Sequence, residues 1–350
     1  MVNAKFLMVE QSSFRNCNLQ CIYCSPKGEK QFPKSISLEA LRAQEILINQ
    51  WLKDNVSPAI FKISGNGEIT LLPDFHQFLF PAAQNVLITN GTQLTPANIS
   101  FLAQFKKNLV IQYSLDGWSE FANSLRIKSH SMQDHILNNL ETIVNNEIPV
   151  EINCVLTSRN IPYLKELMDY LVNLTDFYPK SNLLAFLPFP IRSFRHAGVS
   201  SLYPTVQNIA PLTHLFLDKY SQYEKILPPF EYLKDLLRFI RQKSRPNNRP
   251  CYIKNFSLFI GSMGEVLWCG CGGTRKYGSL YNGGLERRLQ QPYQGLEPCC
   301  STCFTHYEVV NLYIADLISL PEISRIPSYA SLKVQDYLKT LVMELGGKTN

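Results

Sequence analysis

The sequence predicts an α/β fold in which six strand–helix units form a partial (β/α)6 barrel, followed by a small Cys-rich C-terminal module. Short β-like runs alternate with amphipathic helical patterns from residue 5 to about 190, as in a parallel sheet or barrel. Only six such units are present, so the barrel would stay open, unlike a closed eight-stranded one. Of the ten cysteines, six lie between residues 251 and 303, which indicates the separate module.

The β-like runs supply the six predicted strands. They are residues 5–10, 59–64, 85–89, 109–115, 149–156 and 183–188. Because the units alternate, we expect the chemistry at the C-terminal ends of these strands and in the loops after them.

Three helices between the strands each show an apolar stripe at helical spacing. The stripes are Ala40, Ala43, Leu47 and Trp51; Met132, Ile136, Leu140 and Ile143; and Ile161, Leu164, Met168 and Leu171.

Three segments follow from this pattern. Residues 1–245 would form the barrel with its connecting helices, one of them near 229–243, and the stretch SRPNNRP at 244–250 is the boundary. Residues 246–310 would form the Cys-rich module, whose few apolar runs call for a metal to supply stability. Residues 311–350 would be a helical tail broken by Pro321 and Pro327.

Composition narrows the class of protein. The chain has 350 residues, 45% hydrophobic and 18% charged, enough for a real core. It contains no apolar run of 18 residues and no secretory signal, so we predict a cytoplasmic protein without a membrane span. The formal charge of +6 is spread without a Lys/Arg block, so a nucleic-acid partner is not expected.

Strand alternation predicts a polar lumen. Successive strand residues face opposite sides, and the apolar set should meet the helices. The inward set is then Glu10, Lys62, Ser64, Gln112, Ser114, Asp116, Glu151 and Asn153. Cys154 and Leu156 would face outward. Such a lumen suits a polar ligand, and Lys62, Asp116 and Glu151 are its candidate catalytic groups.

Three cysteines follow the first strand in the sequence CNLQCIYC, as Cys17, Cys21 and Cys24. In a reducing compartment, clustered cysteines indicate metal ligands rather than disulfides. A structural zinc site needs four ligands, and no fourth is near. Three thiolates on a cubane cluster leave one iron open, as a catalytic site requires. A zinc site or a loop of buried cysteines is the alternative.

This triad, with Tyr23 just before its last cysteine, resembles the radical S-adenosylmethionine superfamily. The resemblance implies a 4Fe–4S cluster whose open iron binds the amino and carboxylate groups of S-adenosylmethionine. An electron from a flavodoxin- or ferredoxin-like donor would then cleave the carbon–sulfur bond, and the 5′-deoxyadenosyl radical would abstract a hydrogen from the substrate. The protein would supply position and exclusion of water. A non-enzymatic iron–sulfur carrier is the other possibility.

The stretch ISGNGEITL at 63–71 resembles the Gly-Gly-Glu motif of that family, which holds the methionine amino group. It departs from the usual form, because Asn66 separates the glycines and Ile69 stands where proline is common. The stretches ITNGTQLT and YSLDG resemble further family strand ends. By resemblance, the S-adenosylmethionine site comprises Tyr23, Gly67, Glu68, Asn90, Ser114, Arg126, Asn153 and Leu156. For Arg126, a solvated surface position is the alternative.

The C-terminal cysteines resemble the "twitch" module, the shortened form of the SPASM extension. Gly264 and Cys269 form G-x-x-x-x-C, and a C-x-x-C pair follows. The resemblance implies a β-hairpin and a short helix around an auxiliary 4Fe–4S cluster. Its ligands would be Cys251, Cys269, Cys300 and Cys303, with Cys271 as a substitute for Cys269 and Cys299 for Cys300. A zinc site is the alternative. We interpret His306 as structural.

Two reactions are compatible with this resemblance. The first is modification of a ribosomally made peptide by crosslinking, epimerisation or oxidation. The alternative is a twitch-type dehydrogenase that oxidises a small alcohol or amino sugar, with the auxiliary cluster taking the second electron. The 16 residues before the first cysteine leave little room for a peptide-binding sheet there. We nevertheless favour the peptide, because that class of relatives is large.

Overall fold

The structure of this chain is a computed structural model. It describes residues 4–14, 16–24, 37–64, 67–127, 129–178, 183–191, 199–245, 249, 251–267, 269, 276–290 and 303–345. In this part of the chain, no helix is both long and apolar enough to cross a membrane.

One continuous sheet organises the described residues. Its strands are β1 (Ala4–Gln11), β2 (Val56–Ile63), β3 (Gln84–Thr89), β4 (Leu109–Ser114), β5 (Val150–Leu156), β6 (Leu184–Pro190), β7 (Ser257–Ile260), β8 (Glu265–Leu267) and β9 (Lys276–Ser279). The strand order is β6-β5-β4-β3-β2-β1-β7-β8-β9.

Strands β1 to β6 are parallel and lie side by side in chain order. Each agrees with a predicted run to within a few residues. They are almost wholly buried on both faces, as strands covered by helices outside and by side chains inside must be. The predicted α/β class with an open parallel barrel of six strands is therefore confirmed. The connection from β2 to β3 differs from a regular strand–helix unit, because its described residues form two 3-10 turns, Ile69–Leu71 and Phe75–Phe78, and no α-helix.

The Cys-rich segment extends the same sheet. Strand β7 pairs in parallel with β1, and β8 and β9 then add antiparallel strands. Leu258, Ile260, Val266 and Leu285 from this segment belong to the main hydrophobic cluster of the barrel. The buried apolar residues of this segment that the structure describes thus pack against the barrel.

Twelve α-helices of four or more residues occur in the described ranges. They are α1 (Leu38–Asn55), α2 (Pro96–Leu102), α3 (His130–Asn145), α4 (Leu164–Phe177), α5 (Val206–Thr213), α6 (Tyr220–Tyr223), α7 (Phe230–Gln242), α8 (Ile253–Phe256), α9 (Gly284–Gln290), α10 (Glu308–Ile314), α11 (Leu320–Ile323) and α12 (Leu332–Glu344). The side chains of Ser37, Thr95 and Ser129 accept from backbone N–H groups and so start α1, α2 and α3, as N-cap residues do.

The stripe predicted for α1 is wrong. Leu47 is 64% exposed, Ala40 and Ala43 are exposed, and Trp51 is half-buried. The buried face instead carries Glu45, Ile48, Asn49 and Leu52. Two polar side chains face inward because they have partners there: Gln11 donates to Glu45 at 2.8 Å, and Asn49 donates to the carbonyl of Phe78 at 2.9 Å.

The other helical predictions agree better. Ile136, Leu140 and Ile143 lie on the buried face of α3, and Leu164, Met168 and Leu171 on that of α4. In the tail, the prolines begin elements rather than break them. Pro321 lies in the first turn of α11, and Pro327 opens a 3-10 turn over Pro327–Tyr329. A missing N–H costs nothing at such positions.

Candidate active site

The triad loop leaves the carboxyl end of β1 and is tied to neighbouring strand ends. Glu68 donates its backbone N–H to the carbonyl of Asn16 at 2.7 Å, which joins the loop to the turn after β2. Ile22 donates to the carbonyl of Leu125 at 3.0 Å, which joins it to the segment after β4. The backbone N–H of Cys24 donates to the carbonyl of Cys21 across a tight turn at 3.1 Å. The loop therefore lies over the mouth of the barrel.

The chemistry around the triad fits a thiolate-bound cluster. The backbone N–H of Leu19 points at Cys17 Sγ at 3.4 Å, and Asn90 Nδ2 approaches the same sulfur at 3.9 Å. Hydrogen bonds to the sulfurs stabilise cluster thiolates and tune their potential. Within the described ranges, no three His, Cys, Asp or Glu side chains already stand together in a metal-binding arrangement. The assignment of Cys17, Cys21 and Cys24 as ligands stays a prediction.

Glu68 is buried and joins the ends of β2 and β3. Its Oε1 accepts from the hydroxyls of Thr70 at 2.6 Å and Thr89 at 2.8 Å. Its Oε2 accepts from the backbone N–H of Asn90 at 2.6 Å. Burial raises the pKa of Glu68, while these hydrogen bonds act in the opposite direction. Half-buried Gly67 precedes it directly, so the predicted Gly67–Glu68 pair lies next to the cysteine loop.

Asp116 lies just beyond β4 and connects several predicted site residues. Its carboxylate accepts the hydroxyl of Tyr23 and pairs with Arg126 at 3.4 Å. Its Oδ1 also accepts the backbone N–H of Val155 at 2.9 Å. The guanidinium of Arg126 lies 5.6 Å from the centre of the Tyr23 ring, a cation–π contact. Because its side chain is 9% exposed, Arg126 is not at a solvated surface position.

The middle of the lumen is polar, as the alternation predicts. Gln112 donates to Glu151 at 2.6 Å and accepts from Asn153 at 3.3 Å. Burial raises the pKa of Glu151, which also accepts from the backbone N–H of Ser328 at 2.6 Å. Asn153 Oδ1 is buried without a hydrogen-bond partner among the described groups. A buried unsatisfied acceptor costs free energy, so this oxygen is available to accept a hydrogen bond from a polar group in the lumen.

Sequence reasoning missed a second polar group deeper in the lumen. Lys62 Nζ lies 2.8 Å from His306 Nε2 and donates to the hydroxyl of Tyr307 at 2.7 Å. Tyr307 donates in turn to Glu10, which is level with Lys62 on the adjacent strand. His306 and Tyr307 follow Cys303 closely in the sequence. This spacing is the only sequence feature that could have indicated a role for them in the lumen. His306 therefore lines the lumen, beyond the structural role we expected.

Ser114, Leu156 and Cys154 differ in how they lie relative to the lumen. Ser114 ends β4, is half-exposed and faces Asn153 in the register of β4 and β5. The side chain of Leu156 is fully buried in the main hydrophobic cluster, so it contacts the helices, and only its backbone can border the lumen. Cys154 packs in the same cluster, as the alternation predicts.

The auxiliary-cluster prediction is partly outside the described residues. Cys251 and Cys303 are half-buried, and Cys269 is buried. Strands β8 and β9 pair antiparallel and α9 follows them, but most of the segment between the two strands lies outside the described residues. The twitch module therefore stays a prediction. Cys300, its possible substitute Cys299, and Cys271, the possible substitute for Cys269, lie outside the described residues. Whether four sulfurs converge therefore stays a prediction.

Comparisons with known proteins agree with this geometry at the level of the fold. No protein-family model matches the sequence, and the curated proteins contain no match. Native anSMEcpe with bound AdoMet (S-adenosylmethionine) is similar in structure, with a TM-score of 0.57, 17% identity, and coverage of 97% of this chain and 98% of that one.

Two structures that were solved with bound peptides show the same fold. Streptococcus suis SuiB bound to the precursor peptide SuiA gives a TM-score of 0.58 at 16% identity, over 83% of this chain and 65% of SuiB. Native anSMEcpe with bound AdoMet and the Cp18Cys peptide gives 0.56 at 14% identity, over 97% of this chain and 98% of that one. The fold of this chain is thus one that binds S-adenosylmethionine in other proteins, and the predicted resemblance holds for the fold.

Proposed function

We propose that this chain is a radical S-adenosylmethionine enzyme that removes a hydrogen atom from a peptide. The observation that carries the proposal is the position of the triad loop. It lies at the carboxyl end of β1, is hydrogen-bonded to the segments after β2 and β4, and covers a lumen with an unsatisfied buried acceptor on Asn153. Parallel barrels carry their chemistry at this end.

In this proposal, Cys17, Cys21 and Cys24 hold a 4Fe–4S cluster. When bound, the cluster supplies the electron that cleaves S-adenosylmethionine, and the 5′-deoxyadenosyl radical so released abstracts the hydrogen. We infer that Glu68, Gly67 and the backbone near Asn90 border the methionine end. The inference is supported by the hydrogen bonds through which Glu68 joins the end of β3 to the cysteine loop.

The remaining site residues would bind and orient. Ser114 and Asn153 would bind the ribose or the carboxylate, and their level positions on adjacent strands support this assignment. Asp116 holds Tyr23 and Arg126 in one orientation, so its role is to position them beside the cluster loop. Lys62 and Glu151 lie deeper in the lumen, where they are candidates for holding a substrate proton.

Support for a peptide substrate comes from the structural neighbours. SuiB was solved with its precursor peptide SuiA, and anSMEcpe with the Cp18Cys and Kp18Cys peptides. We extend that class of substrate to this chain. A second 4Fe–4S cluster on Cys251, Cys269, Cys300 and Cys303 would accept an electron from the oxidised substrate, and a flavodoxin- or ferredoxin-like protein would be the external donor.

Formation of 5′-deoxyadenosine tests the chemistry. The chain is reconstituted anaerobically with iron and sulfide and incubated with S-adenosylmethionine and dithionite. We expect 5′-deoxyadenosine from the native chain and from the matched control Cys154→Ala, and none from the triple variant Cys17→Ala, Cys21→Ala, Cys24→Ala. A triple variant that still forms the product would refute the proposal.

The substrate needs a second assay. A short peptide encoded beside the gene is incubated with the reconstituted chain, and its mass and its deuterium uptake from D2O are followed. A modified peptide supports the proposal. An unmodified peptide, together with turnover of a small alcohol or amino sugar, would replace it by the dehydrogenase reaction.

A further inference from the structure

Glu151 is a buried carboxylate whose bonded partners carry no charge. Its side chain projects into the lumen from β5 and is fully buried. Its Oε1 accepts the backbone N–H of Ser328 at 2.6 Å, and its Oε2 accepts the amide of Gln112 at 2.6 Å. Among the described residues these two neutral donors are its hydrogen-bond partners, and no cation bonds to it. A carboxylate buried to this extent is well stabilised only where a counter-charge reaches it.

The charge of Lys62, the other ionisable group deep in the lumen, is matched elsewhere. Lys62 donates to the hydroxyl of Tyr307 at 2.7 Å, and Tyr307 donates in turn to Glu10, so one hydroxyl links the ammonium to a carboxylate. Burial raises the pKa of Glu151, while its hydrogen bonds and then the charge of Lys62 act in the opposite direction without offsetting the rise. Glu151 is therefore the lumen carboxylate that still lacks a bonded counter-charge.

Two unpartnered oxygens belong to the same hydrogen-bonded chain. Ser328, whose N–H bonds to Glu151, has a buried Oγ without a hydrogen-bond partner among the described groups. Asn153 lies two residues further along the same face of β5 and is joined to Glu151 through Gln112. Its Oδ1 is likewise buried and unpartnered in the part of the chain that the structure describes. Both oxygens can accept a hydrogen bond, so the ligand that completes this site would be a donor.

The neighbouring strand β6 presents an apolar face beside these polar groups. In the register of β5 and β6, Glu151 is level with Ala185, and Asn153 is level with Leu187. Paired residues of neighbouring strands point to the same face of a sheet, so Ala185 and Leu187 face the lumen. The two levels are about 7 Å apart along the strand, close to the length of an extended lysine stem. Lys and Arg side chains combine an apolar stem with a charged head in this way.

We propose that Glu151 binds the cationic head of a Lys or Arg side chain of the substrate, whose stem lies along Ala185 and Leu187. The inference rests on the proposed function, because it names the residue that the peptide inserts into the lumen. An ammonium or guanidinium supplies both the missing counter-charge and the missing donors, and hydrogen bonds between charged groups are strong. The side chain would enter past Ser114, which is half-exposed and level with Asn153. An amino sugar, polar on all sides, does not match the apolar face of β6.

Binding of small labelled probes tests the site without the peptide. Butylammonium copies the head and stem of a lysine side chain, butanol is its neutral counterpart of equal length, and glucosamine represents an amino sugar. Equilibrium dialysis against the reconstituted full-length chain measures their binding, with S-adenosylmethionine present so that the cofactor site at Glu68 is filled. Glu151→Gln keeps the shape and an acceptor for Ser328 but removes the charge. Glu166→Gln, exposed on α4, removes one charge elsewhere and is the matched control.

We expect one butylammonium per chain, bound at least ~10-fold more weakly by Glu151→Gln and equally well by Glu166→Gln. Equal binding by the native chain and Glu151→Gln would overturn the inference. If Glu151→Gln does not fold, the native chain decides alone, since butanol or glucosamine bound as tightly as butylammonium would also overturn it. None of these results depends on formation of 5′-deoxyadenosine. A chain that binds butylammonium through Glu151 but does not cleave S-adenosylmethionine would contradict the proposed function and leave the binding site standing.

Discussion

At the scale of single residues, Glu68 forms hydrogen bonds through both its carboxylate and its backbone. Its carboxylate accepts from Thr70, Thr89 and Asn90, and its backbone N–H donates to the loop that carries the cysteines. The family resemblance predicts that Glu68 binds the cofactor, and these hydrogen bonds give it a structural role as well. We therefore expect a substitution of Glu68 to weaken cofactor binding and to lower the stability of the fold.

For Glu68→Ala we expect weaker binding of S-adenosylmethionine and a loss of about 2–3 kcal/mol in the free energy of unfolding, because buried donors lose their acceptor. Calorimetric binding and urea unfolding of the reconstituted protein measure the two effects. Thr70→Val is the control, since it removes one donor and keeps the carboxylate. Unchanged affinity in a folded Glu68→Ala variant would remove Glu68 from the cofactor site.

Cys154 should behave as a small apolar residue. It is fully buried in the main cluster, and burial raises its pKa well above the ordinary value. We expect Cys154→Ala to keep full 5′-deoxyadenosine formation and to lose about 1 kcal/mol of stability. Thermal unfolding and product analysis check both. If the Cys154→Ala variant still cleaves S-adenosylmethionine but no longer modifies the substrate, Cys154 would instead be a hydrogen donor.

At the scale of elements, helix α1 explains where sequence patterns fail. The strands were predictable because their apolar runs are short and buried on both faces. The buried face of α1 was not predictable, because Glu45 and Asn49 are residue types that usually lie at the surface. Both are buried here because they form hydrogen bonds with Gln11 and with the carbonyl of Phe78, and no local sequence pattern indicates these contacts. The same limit applies to His306 and Tyr307, whose contacts with Lys62 cross more than half of the chain.

The buried Glu45 makes a pH dependence testable. Burial raises the pKa of Glu45 to about 7, while the hydrogen bond from Gln11 acts in the opposite direction. A carboxyl whose pKa is raised on folding stabilises the protein fully below its unfolded pKa, and that contribution is lost as the pH rises through the folded pKa. Between about pH 4.5 and pH 7 the loss should reach about 3 kcal/mol.

Urea unfolding of the native chain and of Glu45→Gln across this range measures the effect. The amide of the variant can still accept the hydrogen bond from Gln11 and does not titrate. We therefore expect the stability of Glu45→Gln to fall less than that of the native chain as the pH rises. Gln50→Glu, on the exposed face of the same helix, controls for charge on α1. Equal slopes for the native chain and Glu45→Gln would show that Glu45 is not the source.

At the scale of the whole molecule, the two cysteine groups predict the iron content. We expect about eight irons per chain after anaerobic reconstitution. The triple variant Cys17→Ala, Cys21→Ala, Cys24→Ala should retain about half of them. Iron and zinc are measured together in the anaerobically purified protein, and zinc without iron would contradict both clusters.

Much of the overall arrangement could be predicted, but not all of it. The order of β1 to β6, the polar lumen and the packing of Cys154 follow from runs and alternation alone. The pairing of the Cys-rich segment with β1 could not be predicted, because the sequence of a short strand such as β7 does not indicate which strand lies next to it. The buried ion pairs of Glu308 with Arg245 and Arg249 could not be predicted either, since charged residues usually lie at a surface.

The position of β1 in the sheet has a consequence for synthesis of the chain on the ribosome. One edge of β1 pairs with β2 within the first 63 residues, but its other edge pairs with β7, which emerges only after residue 256. Until then an apolar strand edge is open to pairing with other chains. Nascent chains of this protein should therefore depend on chaperones until late in translation, and C-terminal truncations before β7 should aggregate rather than accumulate as a soluble barrel.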